Sequence, residues 1–186
     1  MQLRTTKYDP ANRNEQGFYI KDEWISIGDI GRSYDGKIFT ASEYFRVEDA
    51  YCETVKLLLD AQKIDHLIIS NCDSEKRIPN FFTSTKYYVI QNELKGKLCP
   101  GRKCNWHEID LLIRLNLREE FWCVFEGKYG TYLEFGYDYY MLYGSKKNID
   151  LKKLKFPKEM FIEENCPCDG FEDYDKYSSA VARKNK

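Results

Sequence analysis

Apolar positions recur along this chain at two different periods, and the switch between them divides it into elements. Between residues 41 and 62, Tyr44, Val47, Tyr51, Val55 and Leu58 stand three and four apart, the spacing of one buried stripe on an α-helix. Thr40-Ala41-Ser42-Glu43 precedes the stripe and reads as a capping box, in which a hydroxyl and a carboxylate each satisfy a free backbone N–H. Asn105 as cap, Glu108 three residues on, and then Ile109, Leu112, Ile113 and Leu117 predict a second helix of about three turns. On it Asp110 stands four residues before Arg114, the spacing of a weakly stabilising surface pair.

Period two takes over in the strands. Residues 121–144 read FWCVFEGKYGTYLEFGYDYYMLYG, two aromatic runs split by Gly127-Lys128-Tyr129-Gly130, which predicts a hairpin. Leu133 and Phe135 share one face of the second run; Tyr137, Tyr139, Met141 and Tyr143 continue on one face, with Asp138, Tyr140 and Leu142 on the other. Shorter strands are expected at Phe18-Tyr19-Ile20, Trp24 to Ile27, Leu67-Ile68-Ile69 and Lys86 to Gln91, with a last one around Phe156 to Ile162. Residues 71–80, with Pro79, and 94–104 are polar and turn-like, and Gly28-Asp29-Ile30-Gly31 is a structural turn without the spacing of a phosphate loop. The order ββ-α-β-β-α-βββ-β describes an α+β fold: one domain over residues 1–175, a mostly antiparallel sheet packed with two main helices. Residues 176–186 are expected to be a disordered tail.

Composition changes this picture little. The chain of 186 residues is 42% hydrophobic and 32% charged, values of a globular protein, with an unusual aromatic share of 16%. Net charge is −1, so there is no global basic excess of the kind nucleic-acid binders carry. No apolar run reaches the roughly 20 residues that cross a bilayer, and the first residues have no signal-peptide core, so a cytoplasmic protein is expected. Seven cysteines, an odd number, then read as packed thiols rather than a disulfide framework.

Candidate chemistry is sparse. Cys99 and Cys104, around a Pro-Gly turn, with Cys166 and Cys168 could supply four thiolates to a structural zinc ion, although C-x-C is a less regular zinc spacing; four unpaired thiols is the alternative. Only two histidines occur, His66 and His107, and neither belongs to a catalytic motif. Catalysis by carboxylates, arginines and tyrosines needs no local motif; Asp138, among Tyr137, Tyr139 and Tyr140, is the position to test, against an Asp simply held by nearby donors. Glu48, flanked by tyrosines, reads as a carboxylate paired at the edge of the core. A base-stacking platform of tyrosines would need more basic residues than Lys128 within 121–144, which argues against nucleic acid. For a protein partner, the aromatic residues offer anchors, and Glu163, Glu164, Asp169, Glu172, Asp173 and Asp175 offer an acidic surface that could face a basic protein.

Several stretches read together carry a family likeness. They are Tyr8-Asp9-Pro10 with Arg13 and Gly17; Asp22-Glu23-Trp24 followed by Ser26 to Gly31; Phe39-Thr40 with Glu43-Tyr44 and Val47 to Tyr51. Leu115 to Glu119 with Phe121-Trp122-Cys123, and Phe135 to Met141 with Gly144, complete the set. The pattern, covering most of residues 8–164, resembles bacterial cytoplasmic immunity proteins found beside polymorphic toxin genes, of the contact-dependent growth inhibition type. The resemblance implies specific binding to a cognate toxin domain, often a nuclease, with no catalytic residues and no cofactor. The paired cysteines lie outside the shared pattern. An enzyme working through carboxylates and tyrosines, or a nucleic-acid-binding module, remains the alternative.

Overall fold

The computed structural model describes residues 1–73, 97–136 and 138–164. Helix α1 spans Ala41–Gln62. It starts where the Thr40 hydroxyl accepts from the Glu43 N–H at 3.2 Å, the first half of the expected box, and ends at Lys63 in the left-handed region. Its expected stripe is buried, and so are Gln62, which accepts from Tyr143 OH at 2.6 Å, and Glu48 and Cys52, which bond to a second helix. That helix, α2, is Trp106–Leu117, opened by the complete Asn105/Glu108 capping box. Nine of its twelve residues are buried, including Asp110, Arg114 and Asn116, so it is a core helix rather than a surface one.

Among the described residues there are nine strands, in chain order β1 Gln2–Thr6, β2 Ser33–Tyr34, β3 Lys37–Ile38, β4 His66–Cys72, β5 Lys103–Asn105, β6 Cys123–Gly127, β7 Thr131–Phe135, β8 Met141–Gly144 and β9 Phe161–Glu164. Seven of them form one sheet in the order β5-β4-β6-β7-β8-β1-β9. All its pairings are antiparallel. The α+β architecture, a mostly antiparallel sheet packed with two helices, is therefore as expected, and β2 and β3 form a small separate ribbon. In register, Leu3 faces Tyr143, Leu133 faces Tyr143 from the other side, and Phe125 faces Leu133, so one buried row crosses four strands. No helix among the described residues is long and apolar enough to cross a membrane.

Several local expectations change. β1 has no counterpart in the sequence reading, yet it lies between β8 and β9, near the far edge of the sheet. The strands expected at 18–20 and 24–27 are instead a strap: Tyr19 makes an isolated bridge to Arg13, and Ile27–Asp29 is a 3-10 turn capped by Ser26. Among the described residues no strand pairs with this strap; Phe18, Ile20 and Ile25 are exposed, while Trp24 is buried, stacked on Phe39 at 4.4 Å. Asn71 and Cys72, expected in a loop, extend β4 past a bulge. The alternation expected from Tyr137 to Tyr143 holds only from Met141, because Asp138 and Tyr139 form a left-handed turn. The strand expected at 86–91, the rest of the 71–80 loop, Tyr137 and the tail lie outside the described residues.

Asp110 and Arg114 are not a surface pair. Glu48 on α1 is 1% exposed and accepts from Arg114 Nη1 at 2.8 Å and from Arg118 Nε at 2.6 Å and Nη2 at 2.8 Å. Arg114 also donates to Asp49 at 2.7 Å and Asp110 at 3.2 Å, so the reading of Glu48 as a paired core carboxylate matches its geometry. Removing one partner of a buried network strands the other charges. Glu48→Ala is expected to lower unfolding free energy by about 3–5 kcal/mol. Urea unfolding followed by circular dichroism measures it; a loss under about 1 kcal/mol would show that the clamp is not what joins the helices.

Candidate functional site

Where α2 ends, β6 begins and β7 ends, the chain walls a cleft of about 620 Å³. α2 is stopped by Glu119, whose φ of 57° is left-handed, and its N–H bonds back to Asn116 O at 3.0 Å. Asn116 then ties the helix end to β6: its Oδ1 accepts from Cys123 N–H at 3.1 Å, and its Nδ2 donates to Leu112 O at 2.8 Å. Across the cleft, Asp73 N–H donates to Trp122 O at 3.0 Å, and the Trp122 indole N–H donates to Phe135 O at 3.2 Å. The indole is thus fixed between two strands.

A tight turn forms the last wall. Gly136 N–H donates to Tyr140 O at 2.8 Å, and within it Asp138 (φ 54°) and Tyr139 (φ 60°) are both left-handed. Such a conformation costs a non-glycine residue about 1–2 kcal/mol, least for Asp. The turn is held because Tyr51 OH donates to Tyr139 O and accepts from Lys7 N–H, while the Tyr139 ring lies edge-on to Trp24 at 5.2 Å. Asp138 is therefore presented on a rigid tip.

Among the described residues the cleft lining contains Asp73, Glu119, Glu134 and Asp138 but no lysine, arginine or histidine. Its apolar part is Phe121, Trp122 and Phe135. Glu134 is half-buried, and burial alone pushes its carboxyl above the ordinary range. Glu119, Glu134 and Asp138 have no ion-pair partner among the described residues. Elsewhere several sheltered carboxylates are matched to arginine: Glu48 as above, Glu108 with Arg102 at 2.5 Å, Asp29 with Arg32 at 2.7 Å. This concentration of acid beside a fixed indole makes the cleft the best candidate for a site.

With this geometry in hand, comparison with known proteins adds nothing: no family model, curated protein or solved structure matches the chain.

Of the residues singled out from sequence, Asp138 is in the cleft. Glu163 is on β9, where Arg4 Nε at 2.8 Å and Arg13 Nη1 at 2.6 Å hold it. Burial pushes that carboxyl up, but the two guanidinium groups outweigh it and hold it at about 2, so Glu163 is occupied within the fold. Glu164 is exposed at the end of β9; Asp169, Glu172, Asp173 and Asp175 lie outside the described residues, as do Cys166 and Cys168. Cys99 is exposed, whereas Cys104 is buried on β5 with its thiol pushed up to about 11 by burial. No group of three or more His, Cys, Asp or Glu among the described residues is placed to hold a metal; of the four-cysteine zinc set only Cys99 and Cys104 are among them. Asp73, Glu119 and Glu134 were not singled out from sequence; the only local hint was a carboxylate next to an aromatic residue in each of the last two neighbourhoods.

Lys7 is another sheltered titratable group. Its Nζ sits 3.9 Å from the Tyr8 ring centre, 4.0 Å from that of Trp24 and 3.5 Å from Glu23 Oε1. Burial lowers its pKa from 10.5 to about 8, partly opposed by Glu23. A lowered lysine pKa means that the unfolded chain holds the proton after the folded chain has released it. Stability is therefore expected to rise with pH between about 8 and 10.5. Lys7→Met should flatten that rise and increase the thermal midpoint at pH 7, Glu23 keeping its bond from Tyr19 OH at 2.7 Å. Thermal unfolding from pH 7 to 10.5 checks both; an unchanged slope in the variant assigns it to other groups.

Proposed function

We propose that this chain is a non-enzymatic binding protein of the immunity type, which neutralises a cognate toxin domain by direct contact through the cleft. One observation carries the reading: four carboxylates line a single aromatic-walled depression that, among the described residues, holds no basic side chain. Such a depression repels anions and attracts a basic protein surface, and electrostatic complementarity of this kind gives specificity and fast association. A nuclease domain has a basic surface because it must meet phosphates, so it is a partner of the right sign. The resemblance of residues 8–164 to immunity proteins points the same way. Glu164 and the acidic residues of 165–175 would extend the same charge, while Glu163 would not. The protein is expected to act in the cytoplasm, where such a toxin arrives.

A second reading has its own support. Glu134, biased toward its protonated form by burial, shares the cleft with Asp138, and two carboxyls in unlike environments are the usual acid and base of a hydrolase. Asp138→Asn separates the two readings. In a binding protein it weakens partner capture and leaves no turnover to lose; in an enzyme it abolishes turnover.

Co-expression with the toxin encoded beside the gene tests the main proposal. Survival of the cells and co-purification of both chains are expected. Glu134→Gln combined with Asp138→Asn should weaken binding about 10- to 100-fold, as loss of close interfacial charge pairs does. Rescue and co-purification unaffected by the double substitution would place the interface elsewhere, and the absence of any neighbouring toxin gene would remove the proposal.

A further inference from the structure

Two cysteines face each other on neighbouring strands. Cys72, the last residue of β4, is the register partner of Cys123, the first residue of β6. One step further on, Asp73 N–H donates to Trp122 O at 3.0 Å, which makes 72/123 a non-hydrogen-bonded pair of the antiparallel ladder. In such a pair the Cα atoms are about 4.5 Å apart and the side chains approach most closely. Disulfides span Cα separations from about 4.4 Å upward. Directly opposed residues share a face of the sheet, and both thiols lie against the hydrophobic core, Cys123 buried and Cys72 half-buried at its rim. The other thiols among the described residues are engaged elsewhere: Cys52 donates to Asp110 O at 3.9 Å, Cys99 to Lys97 O at 3.8 Å and Cys104 to Arg102 O at 3.9 Å. Cys123 Sγ instead accepts from Asn116 Nδ2 at 3.3 Å, a donor that favours its thiolate against the burial that pushes the thiol up.

We propose that Cys72 and Cys123 are a redox-sensitive pair, closing to a reversible disulfide that ties β4 to β6 at the wall of the cleft. The inference stands apart from the identity of what enters the cleft. Its oxidant is a small disulfide of the glutathione type. The thiolate of Cys72, the more accessible of the two, attacks one sulfur of that disulfide; its S–S bond breaks and one small thiolate leaves. The Cys123 thiolate then attacks Cys72 Sγ and expels the second. Each departing thiolate takes up the proton that an attacking thiol gave up, so two protein thiols are oxidised and one small disulfide is reduced. Burial raises the Cys72 thiol too, with Cys99 and Asp73 adding to it, so the exchange quickens as pH rises. The bond bears on the site because Asp73 and Trp122, the chain neighbours of the two cysteines, both line the cleft. In a reducing compartment such a bond is transient and reports oxidation.

The test incubates the whole folded chain with oxidised glutathione at mildly alkaline pH, alkylates the remaining thiols, and identifies bridged peptides by digestion and mass spectrometry. A Cys72–Cys123 bridge is expected, formed without denaturant and removed by dithiothreitol. It closes a loop of about 50 residues in the unfolded chain, so the thermal midpoint should rise by roughly 5–15 °C. Cys123→Ala should stop at a glutathione mixed disulfide on Cys72. Cys72→Ser, at the half-buried position, should fold and show neither bridge nor midpoint rise, which keeps the test intact should the Cys123 variant fail to fold. Cys99→Ser should bridge as the unsubstituted chain does. Cys72 joined to Cys99 instead, a bridge that forms only in urea, or alkylation of both Cys72 and Cys123 after excess oxidised glutathione would overturn the proposal. So would a midpoint rise that survives in Cys72→Ser.

Discussion

Glu48 sits at the point where the two helices meet, and much of the molecule depends on how its charge is neutralised. A carboxylate 1% exposed is stable there only because two guanidinium groups from α2 and its end reach it. That requirement sets α2 at one height along α1. It also fixes Arg118, the last residue before the left-handed Glu119, and so the place where the chain turns toward β6. The hydrophobic stripe of α1 supplies most of the burial energy but has no preferred register, since one apolar side chain packs much like another. The ion pairs do have one.

Both helices pack against a sheet whose order is set by distant contacts. β1, the second to sixth residues of the chain, slots between β8 and β9, with the Met1 amino group donating to Ser145 O at 2.7 Å. Tyr143 OH donates to the buried Gln62 at 2.6 Å, which joins β8 to the end of α1. At the other end Tyr51, Tyr139 and Trp24 cluster with Lys7, pinning the strap before α1 to the turn before β8. The buried lysine charge is a cost carried within this cluster, set against the cation–π contacts and Glu23.

The cleft is a by-product of these two constraints. The clamp decides where α2 stops, and the aromatic cluster decides where the 136–140 turn is held; the gap between them is walled by what those segments carry. That the walls carry four carboxylates and, among the described residues, no basic side chain is not required by either constraint. Function is sought there because these acids gather in a cleft beside a fixed indole.

The helices were legible in the sequence because their signals are local. A 3.6-residue period and a cap specify α1 and α2 to within a residue, and the Gly127–Gly130 break specifies the β6–β7 hairpin. β1 was not legible, since Gln2 to Thr6 has no distinctive period and its partners lie more than a hundred residues away. The i,i+4 spacing of Asp110 and Arg114 was visible, but their burial was decided by α1. Of the cleft, Asp138 could be named from its aromatic neighbours. Asp73, Glu119 and Glu134 could not, because nothing in a one-dimensional string says that the ends of β4, α2 and β7 meet. Strand register and helix length decide that, and they are settled only when the whole sheet closes on its helices.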